Sequence, residues 1–332
     1  MPTALVQGRI AVQYTDLLRQ NLEDDWSILV WNPATNTPDE FATLAHEADA
    51  IIGGGIPLKR WPETPKLKMF QIPWTGHDFC SPATMPAGIP VCNCFEHEST
   101  MAEYVMAAIL EWTIGLRDMD RRFRAEGWAG RAPGEAVFHG EVRGRSVGII
   151  GYGHIGIEIA SRAKAFGMRI IGTRRTMQQT PAPLDWLGTA DCLPKLLAES
   201  DFVVVACDLN DETRGLIGKT ELDAMKPNSV LINVARGVVV QEDALYAALN
   251  TKSIGGAIID VWYNHISPET PDVWPSNLPF HELDNVILSP HESAAAPEQV
   301  ARRWQFVATN INRPLLGKTP KNIVFEGAQI TN

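Results

Sequence analysis

Positive charge is in short supply in this sequence. Its 29 lysines and arginines are outnumbered by 39 aspartates and glutamates, leaving a net charge of −10. Nucleic acid and anionic membranes select a basic face, so neither is an expected partner. Long apolar runs are missing too, since no stretch approaches the roughly 18 residues of a membrane span. Residues 1–30 carry no basic stretch leading into an apolar run, so no secretory signal is expected. Five cysteines in 332 residues do not make a disulfide framework. The "CNC" of Cys92 and Cys94 lacks a second Cys/His pair at ligand spacing, and alternation along a buried strand accounts for it. Cys80, Cys192 and Cys207 read as small core residues. The cytoplasm is the expected compartment. There is no internal repeat and no low-complexity segment.

What is present is the ordinary make-up of a soluble globular protein, with 45% hydrophobic and 20% charged residues and a length that accommodates two cores. "RIAVQY" (9–14), "SILVW" (27–31), "AIIGGG" (50–55), "LKMFQIP" (67–73) and "IPVCNC" (89–94) read as strands, with amphipathic stretches between them. Residues 99–123 read as one long helix with Ser99 or Thr100 as N-cap and Glu103 three residues beyond Thr100. After a connector, six apolar runs restart the alternation, from "SVGIIG" through "MRIIGT", "DFVVVAC", "SVLINVA" and "GGAIIDVW" to "NVILSPH". The expected fold is α/β, two Rossmann-like doubly wound domains with a cleft between them. Residues 1–98 with 294–332 would form a substrate-binding domain, and 99–293 a dinucleotide-binding domain.

The glycines of "GYGHIG", Gly151, Gly153 and Gly156, sit between an apolar run and a stretch of helical periodicity. That is the dinucleotide fingerprint: a tight turn, a close backbone approach to the pyrophosphate, and close helix–strand packing. About twenty residues on, where a carboxylate would grip the adenosine ribose, stand Arg174 and Arg175. A guanidinium there favours the 2′-phosphate of NADP over NAD, the alternative being a solvated surface pair. Arg236, after an apolar strand and before a glycine, and His291, after Pro290 at another strand end, supply a cation for a carboxylate and a group that passes a proton. Together they are the minimum for reducing a 2-oxo acid.

At this point the chain resembles the D-isomer-specific 2-hydroxyacid dehydrogenases, which include glyoxylate/hydroxypyruvate reductases and phosphoglycerate, phosphite and formate dehydrogenases. The likeness rests on "GYGHIG", "DETRGLIG" (211–218), "MKPNSVLINVARGVVVQEDAL" (225–245), "GAIIDVW" and "NVILSPH". It implies that Arg236 is the catalytic arginine, that His291 is the acid/base, and that Asp260 bonds the nicotinamide carboxamide. It further implies cofactor contacts at Gly151, Gly153, His154, Ile155, Gly156, Cys207, Thr213 and Ala235. "GGGIP" (53–57) and "WTGHD" (74–78) would supply the substrate-facing Gly54, Gly55, Trp74 and Gly76. No metal is implied. A homodimer is implied, with the long helix and the arm through "GWAGRAP" wrapping the partner.

Three positions depart from the family pattern. His265 stands where a glutamate usually pairs with the catalytic histidine, which adds His265 to the catalytic candidates. Asp208 replaces a common proline, and the glycine loop at 53–55 lacks a polar side chain. The altered glutamate leaves open a dinucleotide-sensing binding protein of the corepressor kind, or a formate- or phosphite-type dehydrogenase.

Overall fold

The structure, a computed structural model, describes residues 1–332 apart from 24, 56–57, 130, 133, 177–178, 268–269 and 330–332. The chain divides into two compact units, Met1–His97 with Ala296–Asn332, and Glu98–Ala295. The first stretch holds β1 (Thr3–Gln7), α1 (Thr15–Asn21), β2 (Ser27–Trp31), α2 (Pro38–His46), β3 (Ala50–Gly53), β4 (Met69–Gln71) and β5 (Pro90–Cys92). The second unit opens with α3 (Glu98–Ile114), α4 (Leu116–Glu126), β6 (Ser146–Ile150), α5 (His154–Ala165), β7 (Arg169–Thr173), β8 (Trp186–Gly188) and α6 (Leu193–Glu199). It continues with β9 (Phe202–Val205), α7 (Lys219–Asp223), β10 (Val230–Asn233), α8 (Glu242–Asn250), β11 (Gly256–Ile259) and β12 (Val286–Leu288). The chain then returns to the first unit with α9 (Pro297–Leu315) and β13 (Ile323–Glu326).

In the first unit the strand order is β2-β1-β3-β4-β5-β13, parallel except for β13, which runs antiparallel to β5. In the second unit the order is β8-β7-β6-β9-β10-β11-β12, parallel throughout. Both are doubly wound orders, the first flavodoxin-like and the second that of dinucleotide-binding sheets with one further strand. Strands covered on both faces must be apolar along their whole length. Accordingly, every residue of β3, β6, β9 and β10 is buried.

The structure corrects several expectations. "RIAVQY" is not a strand: Ala11–Tyr14 form a 3-10 turn, Ile10 is exposed, and β1 lies earlier, where Ala4, Leu5 and Val6 are fully buried. Gly8, in the left-handed region at φ 90, ends that strand. The single long helix is two, because Gly115 adopts φ 68 between α3 and α4. Since α3 already contains Glu98, neither Ser99 nor Thr100 is its N-cap, and Ser99 instead receives Arg162 Nη2 at 2.6 Å. The short strands β8 and β13 were not anticipated. Cys92 and Cys94 are fully buried, burial pushing the Cys92 thiol up to about 12. Cys80, Cys192 and Cys207 are half-buried; Cys80 and Cys207 pack against the edges of the two units' cores, while Cys192 lies outside them. Among the described residues no helix is long and apolar enough to cross a membrane, and no cluster of His, Cys, Asp and Glu is placed to hold a metal.

Candidate active site

In the second unit the strand order reverses between β6 and β9, and the glycine loop leaves β6 at that switch point. Its three glycines are there for three different reasons. Gly151 adopts φ 94, and a Cβ on it would lie 2.5 Å from the Cys207 backbone just beyond β9. At Gly156 a Cβ would lie 3.0 Å from the Gly151 carbonyl and from Ile149, so this glycine lets α5 settle against β6. A Cβ on Gly153 would meet nothing within 4 Å. The protein itself does not require glycine there, whereas a phosphate pressed against the loop does. Gly153 is also the N-cap of α5 and offers no side chain to the helix N–H groups, which leaves them to a ligand anion. The residues present therefore fit a dinucleotide.

The loop is tied to the next strand by Gly151 N–H and Tyr152 N–H, which donate to the Thr173 carbonyl at 3.0 and 2.8 Å. Arg174 follows directly. Among the described residues its Nε is buried without a hydrogen-bond partner, while Arg175 beside it is exposed. Burying an unpaired guanidinium nitrogen is costly, so a ligand anion is the natural complement. His154 and Ile155 open α5, with His154 Nδ1 3.8 Å from Glu98 Oε1. Beyond β9, Thr213 folds the following loop over itself, its hydroxyl donating to the Asp208 carbonyl at 2.6 Å. Cys207 is held neutral, its thiol pushed up to about 11 by burial.

The reactive candidates stand at the ends of three neighbouring strands. Arg236 follows β10, Asp260 follows β11 and His291 follows β12, with His265 in the connection between the last two. The turn that carries Arg236 is fixed by Asn233. Its Oδ1 accepts from Ala235 N–H at 3.1 Å, and its Nδ2 donates to the Arg236 carbonyl at 3.0 Å. Gly237 allows the close pass, since a Cβ there would sit 2.3 Å from the Trp262 carbonyl.

Asp260 is fully buried. Its carboxylate accepts from Ser289 Oγ at 2.6 Å, from Glu292 N–H at 2.9 Å and from Ser293 N–H at 3.1 Å. All three donors belong to the segment that carries His291, so the carboxylate braces that segment, with two donors on Oδ1 and one on Oδ2. Tyr104 from α3 extends the network, its hydroxyl 2.6 Å from Ser289 Oγ. These contacts hold His291 at φ 62, a left-handed backbone that is costly for a residue with a Cβ.

His291 keeps an exposed edge, and its ring centroid lies 6.4 Å from that of His265. Burial of the ring pushes its pKa below the ordinary histidine value. Asp260 opposes the shift, and the positive charges of Arg236 and His265 add to it.

In the first unit, Trp74 lies over the glycine loop, a Cβ on Gly54 falling 3.2 Å from its ring, and one on Gly55 3.6 Å from Phe79. Gln7 Nε2 donates to the Gly54 carbonyl at 2.8 Å, and Cys94 N–H to the Trp74 carbonyl at 3.1 Å. Gly76 is half-buried in the same turn, while residues 56–57 of "GGGIP" lie outside the described residues. Gln7, Asn233 and Tyr104 were missed in the sequence. A buried polar residue closing an apolar strand, as in "ALVQ" and "VLIN", was the signal for the first two.

Comparison with known proteins extends the geometry. The family model for the D-isomer specific 2-hydroxyacid dehydrogenase NAD binding domain matches residues 106–293. A glyoxylate reductase from Korarchaeum cryptofilum is 35% identical over 228 residues, 68% of this chain and 65% of that protein. A glyoxylate reductase from Thermococcus gammatolerans is 32% identical over 332 residues, 97% of this chain and 96% of that one. The crystal structure of a D-isomer specific 2-hydroxyacid dehydrogenase family protein from Aeromonas salmonicida matches with a TM-score of 0.79 at 26% identity, covering 98% of this chain and 99% of that one. The domain match takes in every strand of the second sheet and the full-length likenesses add the first unit, so this chain belongs to the D-isomer specific 2-hydroxyacid dehydrogenase family.

Proposed function

We propose that this protein is an NADP-preferring oxidoreductase that interconverts 2-oxo and 2-hydroxy acids, with Arg236 and His291 as its catalytic residues. A bound nicotinamide dinucleotide supplies or accepts the hydride at substrate C2. The observation that carries this reading is the convergence of Arg236, Asp260 and His291 on three adjacent strand ends of a dinucleotide-binding sheet.

Arg236 presents a fork of donors that matches a carboxylate and polarises the neighbouring carbonyl oxygen. His291, when protonated, gives its proton to that oxygen as it becomes a hydroxyl, and takes it back in the oxidative direction. His265 faces His291 in place of the family's usual glutamate. Asp260 acts as a positioning residue, fixing the strained backbone of His291 through Ser289, Glu292 and Ser293. The remaining acceptor capacity of its carboxylate is left for the nicotinamide carboxamide, the contact that the family resemblance implies.

On the cofactor side, Gly151, Gly153, His154, Ile155 and Gly156 bind the pyrophosphate, while Cys207, Thr213 and Ala235 line the dinucleotide. Arg174 and Arg175 take the 2′-phosphate, supported by the unpartnered buried Nε of Arg174. In the substrate-binding domain, the backbone around Gly54, Gly55, Trp74 and Gly76 receives the substrate carboxylate. The enzyme works as a homodimer through the arm after α4, where Trp128 and Phe138 are 74% and 93% exposed. It works in the cytoplasm, whose reducing conditions suit its free thiols.

The test is oxidation of NADPH and NADH with glyoxylate, hydroxypyruvate and a bulkier 2-oxo acid. Turnover of at least one, faster with NADPH, is expected. Saturable NADPH binding without turnover of any 2-oxo acid would instead indicate a dinucleotide sensor.

A further inference from the structure

Beside the two histidines the second unit holds a cavity of roughly 570 Å³ that the proposed chemistry does not use. His265, Ser289, Pro290 and His291 form one side. The rest is built by the connection between β11 and β12, chiefly the apolar Trp262, Ile266, Val273, Trp274, Leu278 and Phe280, with the polar Asn264, Ser276 and His281 among them. The walls are fixed rather than loose. Trp262 Nε1 donates to the Ser289 carbonyl at 2.8 Å, its ring meets Phe280 edge-on at 6.3 Å, and Trp274 stacks on His281 at 4.6 Å. Asn264 Nδ2 bonds the Trp274 carbonyl at 3.1 Å, and Tyr263 N–H bonds the Pro275 carbonyl at 3.2 Å, which pins the connection back on itself.

A cavity of this size with aromatic and aliphatic walls takes an apolar group that leaves water favourably. His291, the proton-transfer residue, is one of its lining residues, so a substrate whose C2 oxygen meets His291 borders the cavity. Glyoxylate has no carbon beyond C2 to place there, and the single hydroxymethyl group of hydroxypyruvate would leave most of the apolar wall uncovered. We infer that this cavity is the substrate side-chain subsite, and that the preferred substrates are 2-oxo acids with a branched aliphatic or aromatic side chain. The inference rests on the reductase reading above and narrows it.

Two measurements test it. In steady-state assays with NADPH, phenylpyruvate or 4-methyl-2-oxopentanoate should exceed glyoxylate in kcat/KM by on the order of tenfold to a hundredfold, the range an apolar pocket delivers. Val273→Trp, which fills the cavity, should lower that ratio at least tenfold. Independently of turnover, calorimetric titration with 3-phenylpropanoate should show binding to the wild-type protein and none to Val273→Trp. A melting curve and NADPH binding check that the variant is folded, and Leu278→Trp replaces it if it is not. Reduction of glyoxylate at least as efficient as that of the bulky acids, with no binding of 3-phenylpropanoate, overturns the subsite and leaves the reductase reading intact. Binding of 3-phenylpropanoate that Val273→Trp abolishes supports the subsite even if no 2-oxo acid is turned over, a result that would count against the reductase reading alone.

Discussion

The imidazoles of His265 and His291 face one another with ring centroids 6.4 Å apart and planes inclined at 49°. A carboxylate in the place of His265 would favour the imidazolium form of His291, whereas a second imidazole disfavours it, and burial and Arg236 act in the same direction. Carbonyl reduction needs the protonated form, so kcat/KM for reduction should be highest in acid. It should fall as pH rises through a value below that of an ordinary histidine. His265→Glu should move the fall upward by about one pH unit. An unchanged profile in that variant would show that the side chain at position 265 does not act on His291. His291→Ala should cost roughly a hundredfold or more in rate.

Cofactor choice turns on Arg174. Each charge-assisted contact to the 2′-phosphate contributes on the order of 1.5–3 kcal/mol, tenfold or more in kcat/KM. NADPH should be preferred, and Arg174→Asp should flatten or reverse the preference. A wild-type enzyme that favours NADH tenfold would refute the assignment.

The glycine loop separates folding from binding. Gly151→Ala forces a Cβ into the Cys207 backbone at a left-handed φ, and should lower stability by about 3 kcal/mol, seen as a drop in Tm. Gly153→Ala points into open space, so its Tm should stay within a degree or two while the Kd for NADPH rises at least tenfold. Equal losses of Tm in the two variants would remove the case for a phosphate at Gly153.

The arm should make the protein a dimer in solution. Light scattering at micromolar concentration should return about twice the chain mass of 36.6 kDa. Phe138→Asp together with Trp128→Asp should shift the equilibrium toward the single chain.

Much of the site was readable because charge in the wrong place is conspicuous. An arginine closing the run "VLINVA" or following "RIIGT" has no core role, and glycines spaced between a strand and a helix mark a turn. The periodicity of "RIAVQY" misled because Ile10 and Val12 look like strand residues, yet only tertiary packing decides that "TALVQ" fills the sheet instead. Asp260 was recognised as important, but its function as an acceptor for three donors on the His291 segment depends on contacts some thirty positions away in the chain. Gln7 and Asn233 escaped notice because a single amide at a strand end looks the same in a sequence whether it braces a loop or meets water.

The return of the chain through α9 and β13 bears on how the protein is made. Ala4, Val6 and Ile52 share a core with Trp304, Val307 and Ile311, and β5 gains its outer neighbour only from Ile323–Glu326. The whole of Glu98–Ala295 emerges from the ribosome between those two halves, an interval of roughly 10–40 s at ordinary elongation rates. During that time the first sheet lacks α9, which together with α1 covers one of its faces, while the second unit is continuous in the chain. The unit that begins the chain should therefore be the last to become native, and in the interim its uncovered strands are the natural target for chaperones.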